Sequence, residues 1–124
     1  MFEELGLTRM ANALSAHAGA RMGLIAQNVA NADTPGYRAQ DLPGFADVWQ
    51  SGGGMRATRP GHLSDPPVGR SAPRATLGDS SPDGNTVSLE RQMVAMTEAR
   101  QDHEMALSIY RSTGEILRAS LGRR

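Results

Sequence analysis

Asn28-Val29-Ala30-Asn31-Ala32-Asp33-Thr34-Pro35-Gly36-Tyr37 divides the chain into two regimes. Before it, from Leu5 to Asn31, there is no proline; after it, glycine and proline accumulate. Thr34 is held in extended geometry by the proline that follows it. Pro35 sets φ at the second position of a turn, and Gly36 supplies the positive φ that the third position of a type II turn requires. Asn28 and Asn31 are suited to cap the last helical carbonyls or to take a left-handed conformation at the helix end. The stretch therefore predicts a helix terminus followed by a sharp turn.

Upstream, apolar residues recur as Leu7, Met10/Ala11, Leu14, Ala18, Met22, Ile25 and Val29. Residues 7, 18 and 29 are eleven apart, as are 14 and 25, which predicts a nearly straight or slightly right-handed stripe. A helix over this region is about 40 Å long at ~1.5 Å per residue. Ser15, Gly19 and Gly23 form a row of small residues beside the stripe. Glycine costs about 1 kcal/mol relative to alanine inside a helix. The row therefore marks either a close approach of another helix or glycines tolerated on an exposed face.

Downstream, residues 32–87 hold all seven prolines and nine of the fourteen glycines, which argues against a long regular element there. Ser51-Gly52-Gly53-Gly54 reads as a flexible break, and Ser81-Pro82-Asp83-Gly84 as a type I turn. Thr76-Leu77 and His62-Leu63 are candidates for minor strands, but no segment alternates for long. From Ser88, a good N-cap followed by Glu90 near the positive helix end, a second helix begins. Its seam reads Leu89, Met93, Met96, Arg100, His103, Leu107, Tyr110, Gly114, Leu117, Leu121, a 4-3 alternation suited to a coiled coil. Ala99, Ala106, Ile109 and Ile116 widen that face. The expected fold is all-α: two long terminal helices in a coiled-coil-like pair, joined by an extended Gly/Pro-rich connector with room for minor β structure. The organisation is an N-terminal helix over 1–31, a turn and flexible connector over 32–87, and a C-terminal helix over 88–124, together one module. Antiparallel pairing with Asn31 near Ser88 would bring Gly19 close to Arg100.

Composition excludes most chemistry. The chain of 124 residues carries 13 basic and 13 acidic groups, all of the basic ones Arg. Without Lys there is no P-loop, Schiff-base lysine or Ser-x-x-Lys nucleophile. Without Cys there is no thiol catalysis, cysteine zinc site or disulfide. Aromatic residues are only 4% of the chain, so burial must come from aliphatic and Met side chains. No run approaches the ~20 apolar residues of a membrane span. Glu3 and Glu4 stand where a secretory signal carries positive charge. His103-Glu104 lacks the second histidine of H-E-x-x-H, and His17, His62 and His103 lie far apart in sequence, so no metal site is expected. Residues 1–31 hold two Arg against two Glu, and 88–124 six dispersed Arg against five acids; neither makes a nucleic-acid-binding stripe. The residues predict a non-enzymatic, self-associating structural module with no cofactor, no nucleic-acid partner and no small-molecule substrate. A cytoplasmic helical adaptor or chaperone is the alternative within that description.

The motif Asn28–Tyr37 at the end of an N-terminal helix resembles the signature of the flagellar axial proteins. With Arg38-Ala39-Gln40-Asp41 and the short length, the chain looks most like the proximal-rod subunits. Gly84-Asn85-Thr86-Val87-Ser88-Leu89-Glu90-Arg91-Gln92-Met93 is similar to the N-x-V-D-L-E-x-E-M segment that opens the last helix of those proteins. Ser88 here replaces the usual acidic cap, Gln92 an acidic position, and His103-Glu104 the usual Tyr-Gln pair. The resemblance implies a structural subunit of the basal-body rod, exported without a cleaved signal peptide through the flagellar type III apparatus into the periplasmic space. Its implied partners are other rod subunits, rod-base adaptor and membrane-ring proteins, further copies of itself and, transiently, the export apparatus. It assigns a structural role to Asn28, Asn31, Thr34, Pro35, Gly36 and Tyr37, and an assembly role to Leu89, Met93, Met96, Leu107, Tyr110, Leu117 and Leu121. Phe45-Ala46-Asp47-Val48-Trp49 fits the F-x-x-x-Φ segment read by the export gate. Phe45 and Trp49 equally fit an i, i+4 packing pair.

Overall fold

A computed structural model describes residues 2–51, 59 and 71–122. The elements are α1 (Phe2–Ala30), β1 (Gln40–Asp41), α2 (Phe45–Ser51), β2 (Arg74–Ala75) and α3 (Leu89–Leu121). The fold is mostly helical, with a long N-terminal helix, a long C-terminal helix and a small two-stranded sheet.

Glu3 and Glu4 lie in the first turn of α1, where negative charge meets the positive helix end. The helix closes at Asn31, whose backbone N–H reaches Gln27 O at 3.1 Å while its side-chain Nδ2 donates to the same carbonyl at 2.8 Å. α3 opens on Ser88, in extended geometry, with Oγ accepting from Arg91 N, and stops at Gly122, whose N–H donates to Arg118 O. The two long helices pack side by side. Ser15 meets His103, Arg21 meets Glu98 and Asn28 meets Gln92, so residue numbers rise along one helix as they fall along the other. The pair is antiparallel.

Its centre is built from small residues. Ala11, Ala18 and Ile25 are buried on α1, and Ala99 and Ala106 on α3, flanked by buried Gln92 and Thr113. Each set is spaced by seven, the repeat that keeps one face of a helix on a neighbour. The apolar stripe shares Ala11, Ala18 and Ile25 with this set and diverges towards the ends, where Leu7 and Val29 are 45% and 46% exposed. Over the length of the helix a seven- and an eleven-residue repeat drift apart by roughly 130°, so the two stripes coincide near the middle and separate at the ends. Gly19 and Gly23 lie on the exposed face, and a Cβ at either would meet nothing within 4 Å. Close approach occurs on the alanines instead, and Gly19 and Arg100 are both exposed.

On α3 the face turned to α1 is rotated from the expected seam. Ala99 and Ala106, read as widening that seam, are at its centre. Met96, His103 and Leu117 are half-buried beside them, whereas Leu89, Met93, Arg100, Leu107, Tyr110 and Leu121 are exposed. Counting large apolar side chains located a real stripe, but tight helix contact selects small ones, which bring backbones closer.

The described parts of the connector, 32–51 and 71–87, are more ordered than their composition predicts. Gln40 pairs with Ala75 and Asp41 with Arg74, antiparallel. The ladder falls just before the expected Thr76-Leu77; Thr76 N still donates to Ala39 O at 2.9 Å, and Leu77 is exposed. Ser81–Gly84 is a turn with Gly84 N bonded to Ser81 O at 2.8 Å; Pro82 and Asp83 have negative φ, which makes it type I. His62-Leu63 and Gly52-Gly53-Gly54 lie outside the described residues.

Candidate functional site

The turn-bearing end of the helix pair concentrates the buried polar groups. Asn28, in the last turn of α1, is 1% exposed. Its Nδ2 donates to Gln40 O (2.8 Å) and Gln92 Oε1 (3.0 Å), and its Oδ1 accepts from Gln40 N (3.0 Å) and Tyr37 OH (3.3 Å). Two donors and two acceptors are the full capacity of a carboxamide. Asn28 thus joins α1, β1, the turn and α3 in one residue. It caps no carbonyl of its own helix end; Asn31 does.

Thr34-Pro35-Gly36-Tyr37 closes with Tyr37 N donating to Thr34 O at 3.3 Å, and Gly36 has φ of 72°. Positive φ at the third position after a proline is type II geometry. This turn lies against the Ser81–Gly84 turn. Gly36 N donates to Asp83 O at 3.0 Å, and a Cβ on Gly84 would stand 3.4 Å from Gly36 Cα. Thr86 continues the contact, its N donating to Tyr37 O (3.0 Å) and its Oγ1 accepting from Ala39 N (2.9 Å).

Asn85 completes the cluster and is 2% exposed. Its Nδ2 lies 2.9, 2.8 and 2.9 Å from the carbonyls of Asn31, Ala32 and Thr34, while its Oδ1 accepts from Val87 N at 2.7 Å. The carbonyls left open where a helix ends need donors. Here one comes from a side chain just ahead of the other helix.

Two further contacts hold the connector to α1. Arg21 grips Asp41 with both ends of its fork, Nε to Oδ1 at 2.9 Å and Nη2 to Oδ2 at 3.0 Å, and Nη2 also reaches Glu98 at 3.2 Å. The Asp41 hydrogen bond, outweighing the opposing burial, raises the Arg21 pKa above the ordinary arginine range. His17, buried in α1, donates from Nε2 to Pro43 O at 2.8 Å; a carbonyl can only accept, so Nε2 carries the proton. Its ring meets Phe45 edge-on at 5.7 Å, and Phe45 lies 5.8 Å from Trp49. Phe45 and Trp49 therefore form an i, i+4 pair on α2, anchored to α1.

Asn28, Asn31, Thr34, Pro35, Gly36 and Tyr37 are thus brought into one network. Asn85, Gln92, Arg21, Asp41 and His17 belong to it or adjoin it and escaped sequence reasoning. Arg21 carried a signal, being the only charge in the helix between Arg9 and Asp33. Asn85 and Gln92 lie in the segment similar to the opening of the rod proteins' last helix, but nothing local assigned their side chains a contact. Among the described residues no group of three or more His, Cys, Asp or Glu could hold a metal ion, and no helix is long and apolar enough to cross a membrane. The network joins segments; its groups bond one another.

Away from that end, large apolar side chains remain uncovered. Leu89, Met93, Val94, Met105, Leu107, Tyr110, Ile116 and Leu121 are exposed on α3, as are Leu5, Leu7 and Val29 on α1. Of the residues expected in an assembly seam, only Met96 and Leu117 are half-buried. Exposed apolar side chains in such number are unusual on an isolated monomer.

No family model matches the chain. Over 100 residues it is 29% identical to the flagellar basal body rod protein FlgB of Agrobacterium fabrum, covering 74% of this chain and 75% of that one. Over 101 residues it is 29% identical to the FlgB of Salmonella typhimurium, covering 72% and 73%. These similarities support a flagellar basal-body rod protein. Both of these rod proteins are FlgB.

Proposed function

We propose that this chain is a non-enzymatic structural subunit of the proximal rod of the bacterial flagellar basal body, required for flagellum assembly and motility. The observation that carries the reading is the similarity to two FlgB proteins over about three quarters of the chain. The uncovered apolar face of α3 supports it. In this reading α1 and α3 form a coiled-coil-like pair, favoured by the seven-residue spacing of their buried alanines. Leu89, Met93, Leu107, Tyr110 and Leu121 face neighbouring subunits, with Met96 and Leu117 at the edge of the same contact. Torque passes along the rod through many such axial contacts. The neighbours are other rod subunits, rod-base adaptor and membrane-ring proteins and further copies of the chain, in the periplasmic space. The chain arrives unfolded through the flagellar export apparatus. Phe45 and Trp49 serve export before assembly and pack on each other after it, with Phe45 against His17. No cofactor, nucleic acid or small-molecule substrate takes part.

In-frame deletion followed by basal-body purification tests this. The deletion strain should not swim and should yield no rods, and the wild-type gene should restore both. A deletion strain that swims normally would overturn the proposal.

A further inference from the structure

The buried faces of α1 and α3 pose a problem of uniqueness. Each presents small residues at intervals of seven: Ala11 and Ala18 before Ile25, and Ala99 and Ala106 between Gln92 and Thr113. A seven-residue slide of one helix along the other, about 10 Å, returns one ladder onto the other. Alanine burial distinguishes such registers weakly, because the side chains are small and alike.

The polar groups at the turn-bearing end do distinguish them. Among the described residues, Asn28 to Gln92 is the one fully buried hydrogen bond between α1 and α3. Asn85, three residues before the α3 N-cap, holds the carbonyls of Asn31, Ala32 and Thr34 at the end of α1. After a slide, the Asn28 and Asn85 donors are left buried without these acceptors. One buried donor left unsatisfied biases two arrangements by roughly 5- to 150-fold.

We propose that the carboxamides of Asn28, Asn85 and Gln92 select the register of the helix pair, while the alanine seam supplies burial that tolerates more than one register. A single buried polar residue specifying the register of paired helices at some cost in stability is a known physical device. Register decides which apolar residues of α1 and α3 stand beside one another on the outer surface. Asn85 and Gln92 are thus specificity-determining without touching a partner.

The chain has no Cys, so engineered pairs report register directly. In the full-length protein, Ser15→Cys with His103→Cys probes the observed register, since the two native side chains lie 3.2 Å apart. Ser15→Cys with Met96→Cys, or with Tyr110→Cys, probes a slide by seven in either direction. With the carboxamides intact, mild oxidation should link only 15 to 103. In the Asn85→Ala, Gln92→Leu background, a 15–96 or 15–110 link should rise at least fivefold while helical circular dichroism is kept. The seam variant Ala106→Gly, with carboxamides intact, should melt lower yet link only 15 to 103. Three results overturn the proposal: a folded carboxamide variant that still links only 15 to 103, loss of helix in that variant, or slipped links in Ala106→Gly.

Discussion

Gly36 is where a local backbone requirement and a long-range contact coincide. Its φ of 72° is a conformation that L side chains resist, most of all β-branched ones. Gly36→Val should lower stability by about 1–3 kcal/mol, and Gly36→Asn by less, since Asn tolerates left-handed geometry. Denaturation midpoints should rank wild type, then Asn, then Val; a Val variant as stable as wild type would rule out the strain. Asn85 gives a sharper contrast. Asn85→Ala removes a donor from three carbonyls and should cost about 1–3 kcal/mol. Asn85→Asp should cost more at neutral pH, because it points a carboxylate at those same oxygens. Urea titration of the two variants checks the order, and an Asp variant more stable than Ala contradicts the assigned contacts. Arg21 illustrates the sign of linkage. Its raised pKa means its contribution is complete throughout the neutral and mildly alkaline range and is lost only as pH climbs beyond the ordinary arginine range. The turn at Thr34–Tyr37 was legible because Pro35 and Gly36 restrict their own backbones. Asn85 was not, since its acceptors lie 51 to 54 residues away.

Along α3, adjacent residues do different work. Ala106 is buried against α1, while Leu107 is 37% exposed. Ala106→Asp inserts an unpaired charge into a closely packed seam, and should melt the helix pair at a cost of several kcal/mol. Leu107→Asp should leave the helical signal of the isolated chain nearly unchanged and abolish swimming. Circular dichroism and soft-agar motility, read together, separate the two; matching behaviour in both variants would mean that inner and outer faces are misassigned. On α2, Phe45→Ala removes the ring that meets His17 and Trp49. If Phe45 also serves export, that variant should be made normally but appear several-fold less in culture supernatant, with Trp49→Ala secreted better. Equal secretion of Phe45→Ala and wild type would leave packing as the role of the pair.

As a whole the molecule is a helix hairpin, tightly joined at one end and thinly packed along its length. Among the described residues the only large apolar side chain less than 2% exposed is Ile25. Such a pair is marginal alone. Its isolated form should be partly helical, melt broadly and gain helicity as concentration rises. Sedimentation and circular dichroism check this; a sharp, concentration-independent melt of a fully helical monomer would contradict it. The amino-acid sequence by itself determined the two long helices, the turn between Thr34 and Tyr37, and the N-cap at Ser88. Each follows from forces acting within a few residues: proline exclusion, capping, and the φ limits of Pro and Gly. Helical periodicity also placed an apolar stripe on α3, but not which part of it meets α1. Only the tertiary structure decided that, because small side chains allow the closest approach and large ones are left facing outward. It also decided the antiparallel contacts, the sheet at Gln40–Asp41, and the carboxamide network, whose hydrogen bonds exist only when distant segments are already in place.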